Sequence, residues 1–431
     1  MSEAALVIGG GITGMQAALD MANAGFKVTL VERSPSIGGH MLQLSKVFPT
    51  LDCPQCIGTP KMVEVASHPN IELLTYSEVV DVSGKAGDFK VTIRKKPRYV
   101  DEVKCTGCGI CQEKCPWKVV SEYNLGLNQR KAIYTPFPQA VPNIPVIDTE
   151  HCAYFLKGTC RACEIFCEVE AIDFAQEDEY LERQAGAIII ATGYDVFDAR
   201  LKPELGYGIY PNVITGLELE RLDEAGGPTQ GRILVNGKEP QSVVFIQCVG
   251  SRDKTVDHEY CSRVCCMATA KQAHYIKEKL PEAKVTICYI DVRACGKGYE
   301  QFYERVQDEG VIYRRGTVSE IYRRGDKLIV RAEDTLNGEF YQEETDLVVL
   351  AAGITPSDGT RELAEICGIE LGEDSFLREN HPKIGLVESG VEGILLAGCS
   401  QGPNDIANSV IQGSATASAA SVILSKAKAR A

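Results

Sequence analysis

The sequence predicts an α/β protein with two Rossmann-like units and a small cysteine-rich domain inserted into the first. Three observations carry this prediction: a glycine fingerprint at residues 9–14, two runs of four cysteines between residues 105 and 167, and a second strand–helix–strand pattern after residue 241. With 431 residues and 40 glycines, the chain has the length of two or three domains and many residues suited to tight strand-to-helix turns.

The composition argues against two classes of function. The formal net charge is -14, and basic clusters such as RKKPR at residues 94–98 are short, so we expect no nucleic-acid partner. No apolar run approaches the roughly 20 residues that cross a bilayer, and the N-terminus shows no signal-peptide pattern. We therefore expect a soluble cytoplasmic protein without a direct membrane span. Eighteen cysteines in such a chain favour metal ligation or redox chemistry over structural disulfides.

The first element is a βαβ unit over residues 5–32. Its G-x-G-x-x-G turn allows backbone N–H groups to approach a pyrophosphate, and the acid that ends its second strand can accept hydrogen bonds from ribose hydroxyls. A glycine pair follows the acid, as in flavoproteins with two dinucleotide domains, which favours FAD over NAD. The residues expected at this cofactor are Gly9, Gly11, Ile12, Thr13, Gly14, Glu32, Arg33, Gly38, Gly39 and His40.

Three later stretches extend the prediction of a flavin site. Apolar strands at residues 185–197 and 345–357 end in Ala-Thr-Gly and Ala-Ala-Gly, although either alone could be an ordinary buried strand. Residues 393–424 predict a strand, a polar turn and a long helix whose N-terminus would stabilise negative charge on the flavin. The further residues expected near FAD are Ala191, Thr192, Gly193, Gly398, Asn404, Asp405, Ile406 and Ser409.

The second Rossmann-like unit, residues 241–291, lacks the glycines that admit a pyrophosphate. Its first strand runs into CVGSRD instead of G-x-G-x-x-G, so we expect that NAD(P)H does not bind there. Lys271 follows the Cys-Cys pair of this unit and is a candidate for facing the flavin and stabilising negative charge on it. A surface position for this lysine remains open.

The middle of the chain carries the spacing of a two-cluster ferredoxin. The first run is C-x2-C-x2-C-x3-C followed by proline, whereas the second has a first gap of seven residues and no proline. In two-cluster ferredoxins the fourth cysteine of each run ligates the other cluster, and one zinc ion, the alternative, would not take two full runs. We expect two [4Fe-4S] clusters, with Cys167 joining the first three cysteines and Cys115 joining the others, on Cys105, Cys108, Cys111, Cys115, Cys152, Cys160, Cys163 and Cys167.

Two further cysteine groups are candidates for redox roles. One occupies the place of the missing nucleotide and predicts one more [4Fe-4S] cluster, with a group of buried thiols as the alternative; it consists of Cys248, Cys261, Cys265 and Cys266. Cys53 and Cys56 have the C-x2-C spacing of a redox disulfide, or of half a metal site, and are candidate catalytic thiols. Packing and backbone support are the alternative for this pair.

Four stretches together resemble the A subunits of heterodisulfide reductases, which carry FAD and iron–sulfur clusters: VFPTLDCPQCIGTPKM, RKAIYTPFPQAVPNIPVID, QCVGSRD with YCSRVCCM, and GKGYEQFYERVQDEGV. The resemblance implies a thioredoxin-reductase-like core with FAD, an inserted two-cluster ferredoxin domain and a cluster near Cys261, Cys265 and Cys266. It also implies electron bifurcation at FAD between ferredoxin and a disulfide, with partners such as B- and C-like subunits, a hydrogenase or other donor subunit, ferredoxin, and a second copy of the chain. Because the sequence starts at the fingerprint, we expect the family's additional terminal modules to be absent.

These observations predict an iron–sulfur flavoprotein component of an anaerobic oxidoreductase complex. Alternatives are the flavin subunit of a quinone-linked reductase, related to the A subunits of quinone-interacting membrane-bound oxidoreductases, a self-contained disulfide reductase, or a non-catalytic cofactor scaffold. The expected segments are the FAD domain at 1–98, 175–225 and 355–431, the ferredoxin insert at 99–174, and the second Rossmann-like domain at 226–354.

Overall fold

The computed structural model of the protein describes residues 3–430 and consists of mixed strands and helices. In chain order the strands are β1 (Ala4–Ile8), β2 (Lys27–Glu32), β3 (Ile71–Thr75), β4 (Ser77–Lys85), β5 (Asp88–Lys95), β6 (Lys118–Val120), β7 (Gln129–Lys131), β8 (Ile133–Tyr134), β9 (Val146–Ile147), β10 (Glu179–Ala185), β11 (Ala187–Ile190), β12 (Tyr194–Val196), β13 (Val213–Thr215), β14 (Ser242–Val249), β15 (Lys284–Tyr289), β16 (Ile312–Arg315), β17 (Val318–Arg324), β18 (Lys327–Asp334), β19 (Glu339–Thr345), β20 (Leu347–Ala352), β21 (Ile354–Pro356), β22 (Glu379–His381), β23 (Gly385–Ser389) and β24 (Ile394–Leu396).

The helices mostly follow strands, as the sequence pattern predicts for an α/β protein. In chain order they are α1 (Ile12–Asn23), α2 (Pro54–Ser67), α3 (Ile110–Lys114), α4 (Ala153–Lys157), α5 (Ala162–Ile165), α6 (Gly216–Asp223), α7 (Cys265–Lys279), α8 (Tyr299–Asp308), α9 (Thr360–Cys367) and α10 (Ile406–Arg430). Short 3-10 turns cover Gly39–Gln43, Ala199–Leu201, Pro203–Leu205, Lys254–Val256 and Gly398–Ser400. None of the helices in residues 3–430 combines the length and apolar character needed to cross a bilayer.

A seven-stranded sheet in the order β22-β23-β24-β11-β1-β2-β3 forms the first unit. The strands from β24 to β3 are parallel, and β1 lies between β11 and β2. Successive residues of β1 pack into opposite cores: Val7 contributes to the core that contains α1 and α10, and Leu6 to the core on the other face. The carboxyl ends of the parallel strands therefore meet at one edge, where α/β sheets bind their ligands.

The second unit is a five-stranded parallel sheet in the order β13-β20-β14-β15-β16. The turn after β14 leads through residues 250–264 to α7, the position at which a nucleotide-binding unit would carry its glycine turn. An antiparallel sheet of β17, β18 and β19 packs against this unit. The two units are joined by the short antiparallel pair of β12 and β21.

The cysteine-rich insert leaves the first unit after β5 and returns at β10. Because β5 and β10 are hydrogen-bonded neighbours, with Lys95 opposite Glu179, the insert begins and ends at adjacent points. It has a core of its own, to which Val100, Val119 and Ile133 contribute and against which several of its cysteines pack. A bridge between Val100 and Ile172 closes this domain at its base.

Candidate cofactor sites

A cavity of about 1270 Å³ opens at the carboxyl edge of the seven-stranded sheet. All the residues predicted to contact FAD line it, except Gly14 and Gly398. Those two glycines lie directly behind the lining. A Cβ on Gly14 would lie 1.9 Å from the Gly9 carbonyl oxygen, and one on Gly398 would lie 2.4 Å from Thr13 Oγ1. Gly11 differs because a Cβ there would meet nothing within 4 Å, so the missing side chain leaves room on the cavity side.

The N-termini of α1 and α10 lie at this cavity. Helix α1 begins directly after Gly11, and α10 begins after Asp405, whose Oδ1 accepts the Asn408 N–H at 2.8 Å and caps the helix. Residues of both first turns line the cavity. Helix N-termini present unpaired N–H groups and positive potential, which suits the pyrophosphate of a dinucleotide and negative charge on a flavin.

Polar groups of the cavity match a dinucleotide. Glu32 Oε2 accepts the Gly10 N–H at 2.7 Å and Oε1 accepts the Ser34 N–H at 2.8 Å, which fixes the carboxylate while leaving further lone pairs. Thr192 Oγ1 is buried and has no hydrogen-bond partner among the described residues. An unpaired buried hydroxyl in a cavity wall indicates that a ligand completes its bonding. The residues present therefore fit FAD.

The rings of His40 and Tyr194 form a tilted pair in the cavity wall. Their ring centroids are 4.6 Å apart, and His40 Nε2 lies 2.9 Å from the Tyr194 carbonyl oxygen. Burial raises the pKa of the Tyr194 phenol above its usual range, so it stays protonated. Arg33, the residue after Glu32, donates to the Asp358 carbonyl oxygen at 2.6 Å. This bond links residues 33–44, which we call the cofactor loop, to the segment that follows β21.

Lys271 lies inside the protein and lines the cavity. Its side chain is only 1% exposed, so the surface position that the sequence left open is wrong. The Nζ atom pairs with Glu220 Oε1 at 2.8 Å and donates to the Lys46 carbonyl oxygen at 2.8 Å. Glu220 also accepts from Gln272, so the lysine charge is balanced within a buried network.

This pair predicts a clear stability effect. Lys271→Met leaves the Glu220 carboxylate buried and unpaired, and we expect it to lower the free energy of unfolding by about 3–5 kcal/mol. Adding Glu220→Gln removes that charge and should restore most of the loss. Urea unfolding of the wild type, both single variants and the double variant measures the coupling, and a double variant as unstable as Lys271→Met would contradict the prediction.

The insert brings thiols of its two cysteine runs close to one another. Burial, with the nearby thiols of Cys105, Cys108 and Cys167, raises the pKa of the Cys111 thiol to about 12. In the second run, burial raises the pKa of the Cys163 thiol to about 12, with neighbouring thiols adding to the effect. Those neighbours are Cys152, Cys111 and Cys115. Cys108 and Cys160 are exposed, whereas Cys115 is buried.

The third group of cysteines also comes together, at the start of α7. Burial, with the adjacent thiols of Cys248, Cys266 and Cys261, raises the pKa of Cys265 above its usual range. Cys265 also lines the cavity, so this group directly adjoins the predicted flavin site. Protonated thiols of this kind become ligands only when a metal replaces the proton.

Over residues 3–430, no three His, Cys, Asp or Glu side chains are grouped closely enough to hold a single metal ion.

Cys53 and Cys56 are joined in a disulfide at the N-terminus of α2. Cys53 caps the helix, and its Sγ accepts the Cys56 N–H at 3.2 Å. The cavity lining includes Val47 to Thr50, just before the pair, but neither cysteine.

Sequence reasoning missed the contribution of the insert to the cavity. The residues concerned lie between the two cysteine runs and line the cavity: Glu122, Tyr123, Arg130, Tyr134, Pro136 and Phe137. Most of them fall in RKAIYTPFPQAVPNIPVID or just before it, a stretch that carries the family resemblance but no recognised binding motif. Its aromatic and proline content was the only available signal.

Two protein-family models match parts of the chain. A model described as FAD dependent oxidoreductase matches residues 5–51, and one described as 4Fe-4S binding domain matches residues 98–121. These segments contain the glycine turn and the first cysteine run. The matches confirm FAD and iron–sulfur clusters as the cofactor classes.

Known structures with a similar fold include thioredoxin reductases. The enzyme from T. acidophilum matches with a TM-score of 0.54 at 16% identity, over 98% of this chain and 99% of that one. The Lactococcus lactis enzyme matches with a TM-score of 0.54 at 14% identity, over 99% and 100%. The predicted thioredoxin-reductase-like fold is thereby confirmed.

The curated relatives are much more similar in sequence. The iron–sulfur A subunit of the CoB–CoM heterodisulfide reductase of Methanocaldococcus jannaschii is 52% identical over 98% of this chain and 64% of its own length. The second of two such A subunits of Methanopyrus kandleri is 53% identical over 98% and 65%. The A subunit of the H2:CoB–CoM heterodisulfide, ferredoxin reductase of Methanothermobacter marburgensis is 49% identical over 99% and 64%. The chain spans just under two thirds of the length of these relatives. About half of its residues are identical to these relatives along nearly its whole length, which confirms the resemblance of the chain to heterodisulfide reductase A subunits.

Proposed function

We propose that this chain is the electron-transfer subunit, with FAD and [4Fe-4S] clusters, of a multi-subunit heterodisulfide-reductase-like oxidoreductase. One observation carries the proposal: a single cavity is lined by the glycine turn, by the ferredoxin insert and by Cys265 of the third cysteine group. A cofactor that exchanges electron pairs would there adjoin one candidate cluster site, at Cys265, and would contact the domain that carries the other two. Such a junction suits an electron-transfer protein better than a scaffold.

The proposed ligands follow the crossed pairing. One insert cluster takes three cysteines of the first run with Cys167, and the other takes three of the second run with Cys115. A third cluster takes ligands from the group at the start of α7. The candidate ligands are Cys105, Cys108, Cys111, Cys115, Cys152, Cys160, Cys163, Cys167, Cys248, Cys261, Cys265 and Cys266.

FAD, when bound, supplies both two-electron and one-electron chemistry. The side chains and backbone of this chain would contribute electrostatically to the binding of that cofactor. The N-terminus of α10 and the buried ammonium of Lys271 both lie at the cavity, where each would stabilise negative charge. Because Glu220 holds Lys271 at 2.8 Å, the ammonium is fixed in position before any cofactor binds.

The proposed partners follow from the names of the relatives. The Methanothermobacter marburgensis relative is named for H2, the CoB–CoM heterodisulfide and ferredoxin. By extension, we propose that this chain exchanges electrons with ferredoxin, with a hydrogenase or other donor subunit, and with B- and C-like subunits that reduce a disulfide. Bifurcation of electron pairs at FAD and pairing of two copies of the chain are part of the same proposal.

An anaerobic reduction experiment tests the function. Protein purified without oxygen is mixed with reduced ferredoxin, and flavin and cluster absorbance are followed separately by stopped flow. We expect the clusters and then the flavin to be reduced. A flavin that stays oxidised would favour the scaffold and overturn the proposal.

NADPH and NADH provide the second arm of that experiment. The turn after β14 carries Cys248 and CVGSRD in place of the glycines that admit a pyrophosphate, so we expect neither nucleotide to bleach the flavin. Dithionite serves as the positive control for a reducible flavin. Rapid stoichiometric bleaching by NADPH would instead support a self-contained reductase.

A further inference from the structure

The chain between the two cysteine runs is longer than cluster ligation requires. We call residues 117–147 the connecting segment; it contains no cysteine. Six of its residues nevertheless line the cavity: Glu122, Tyr123, Arg130, Tyr134, Pro136 and Phe137. The insert is therefore more than an appended electron carrier, because part of it forms a wall of the predicted flavin site.

The connecting segment is hydrogen-bonded to the cofactor loop of the first unit. The Val141 N–H donates to Ser36 Oγ at 2.8 Å, and its carbonyl oxygen accepts the Ile37 N–H at 3.0 Å. On the other side of the glycine pair, the Tyr123 hydroxyl donates to the Leu42 carbonyl oxygen at 2.6 Å. These contacts hold both sides of the glycine pair that lines the cavity.

A buried arginine anchors the base of the insert to the same loop. Arg98 is 2% exposed and donates to the Pro35 carbonyl oxygen at 2.7 Å and to Thr75 Oγ1 at 2.6 Å. It also donates to Glu102 and to the Ile144 carbonyl oxygen within the insert. Breaking such a fully bonded buried charge is costly, so Arg98 ties the base of the insert firmly to the loop that carries Pro35.

The wall that the connecting segment presents is aromatic. Tyr123 and Phe137 are stacked with centroids 4.9 Å apart, and the Arg130 guanidinium lies 3.7 Å above the Tyr134 ring. Arg130 is itself held by Glu122 and Asp148. Flat rings supported in this way suit contact with the flat ring systems of a dinucleotide.

We propose that the connecting segment is part of the FAD-binding site and that retention of FAD depends on Tyr134. This inference rests on the proposed function, since it takes FAD as the occupant of the cavity. Binding of FAD and docking of the insert against the cofactor loop would then stabilise each other, because coupling between two binding events is reciprocal.

Titration of the flavin-depleted protein with FAD tests the proposal. We expect Tyr134→Ala to weaken FAD binding by about tenfold or more, while Tyr134→Phe, which keeps the ring under Arg130, stays near wild type. Tyr180→Ala is the matched control, because Tyr180 lies on β10 outside the cavity and is 62% exposed. Iron content is measured on each variant to show that the insert is still assembled.

Hydrogen exchange on the wild type gives a second readout that needs no variant. Adding FAD to flavin-depleted protein should slow exchange in the connecting segment as well as around the glycine turn. Protection at the glycine turn alone, or unchanged FAD affinity in a Tyr134→Ala variant with full iron content, would overturn the inference. A wild type that takes up no FAD would instead overturn the proposed function.

Discussion

Cys111→Ala and Cys167→Ala should each remove the same cluster, and the double variant should lose no more iron than either single variant. The reason is the proposed crossed pairing, which is supported by the nearness of the Cys111 and Cys167 thiols although they belong to different runs. From a wild type with about twelve irons, each of these variants should retain about eight. Pairing Cys111→Ala with Cys115→Ala should remove both insert clusters and leave about four.

Iron, sulfide and FAD analysis of anaerobically purified variants, with EPR of the reduced proteins, measures these losses. Cys367→Ala is the control, since Cys367 is buried in an apolar core away from the cysteine groups and should leave all iron in place. Additive losses in the Cys111 and Cys167 double variant would show uncrossed clusters. A wild type with about eight irons would reassign the group at α7 to buried thiols.

Gly14→Ala should abolish FAD retention. The added Cβ would lie 1.9 Å from the Gly9 carbonyl oxygen, in a contact between backbone segments that no side-chain rotation relieves. Helix α1 must then move away from β1, which displaces the helix N-terminus from the cavity and lowers the free energy of unfolding by about 1–3 kcal/mol. We expect FAD affinity to fall by about a hundredfold or more.

Gly390→Ala is the matched control, because Gly390 is exposed and a Cβ there meets nothing within 4 Å. Flavin content, FAD titration and thermal unfolding of both variants decide the outcome. Normal flavin content in Gly14→Ala would mean that the close packing of α1 on the glycine turn does not support the cofactor site.

Together these experiments separate the two kinds of cofactor. The single cysteine variants should leave FAD bound, because each removes one proposed cluster ligand, the connecting segment contains none, and only Cys265 among the predicted ligands lines the cavity. The Gly14 variant should leave iron bound, because the insert has a core of its own. A loss of both cofactors in every variant would indicate general unfolding in place of local effects.

The sequence by itself determined the features that depend on short spacing. The glycine turn, the acid at the end of β2 and the two cysteine runs each lie within one loop or one βαβ unit, so their geometry follows from local backbone conformation. The fold class and the family followed from the same stretches. The predicted positions around residues 9–40, 191–193 and 404–409 then lie at one cavity because parallel strands end at one edge of the sheet.

Tertiary structure alone decided which distant segments meet at that cavity. Lys271 forms an ion pair with Glu220 on another helix, and the connecting segment contributes aromatic side chains to the cavity wall. The cavity lining does not include the disulfide of Cys53 and Cys56. Such contacts join residues about 50 to more than 100 positions apart, and their side chains carry no periodic signal. They depend on how the domains pack, and packing between separate segments is specified by complementary shape and charge that local sequence patterns do not reveal.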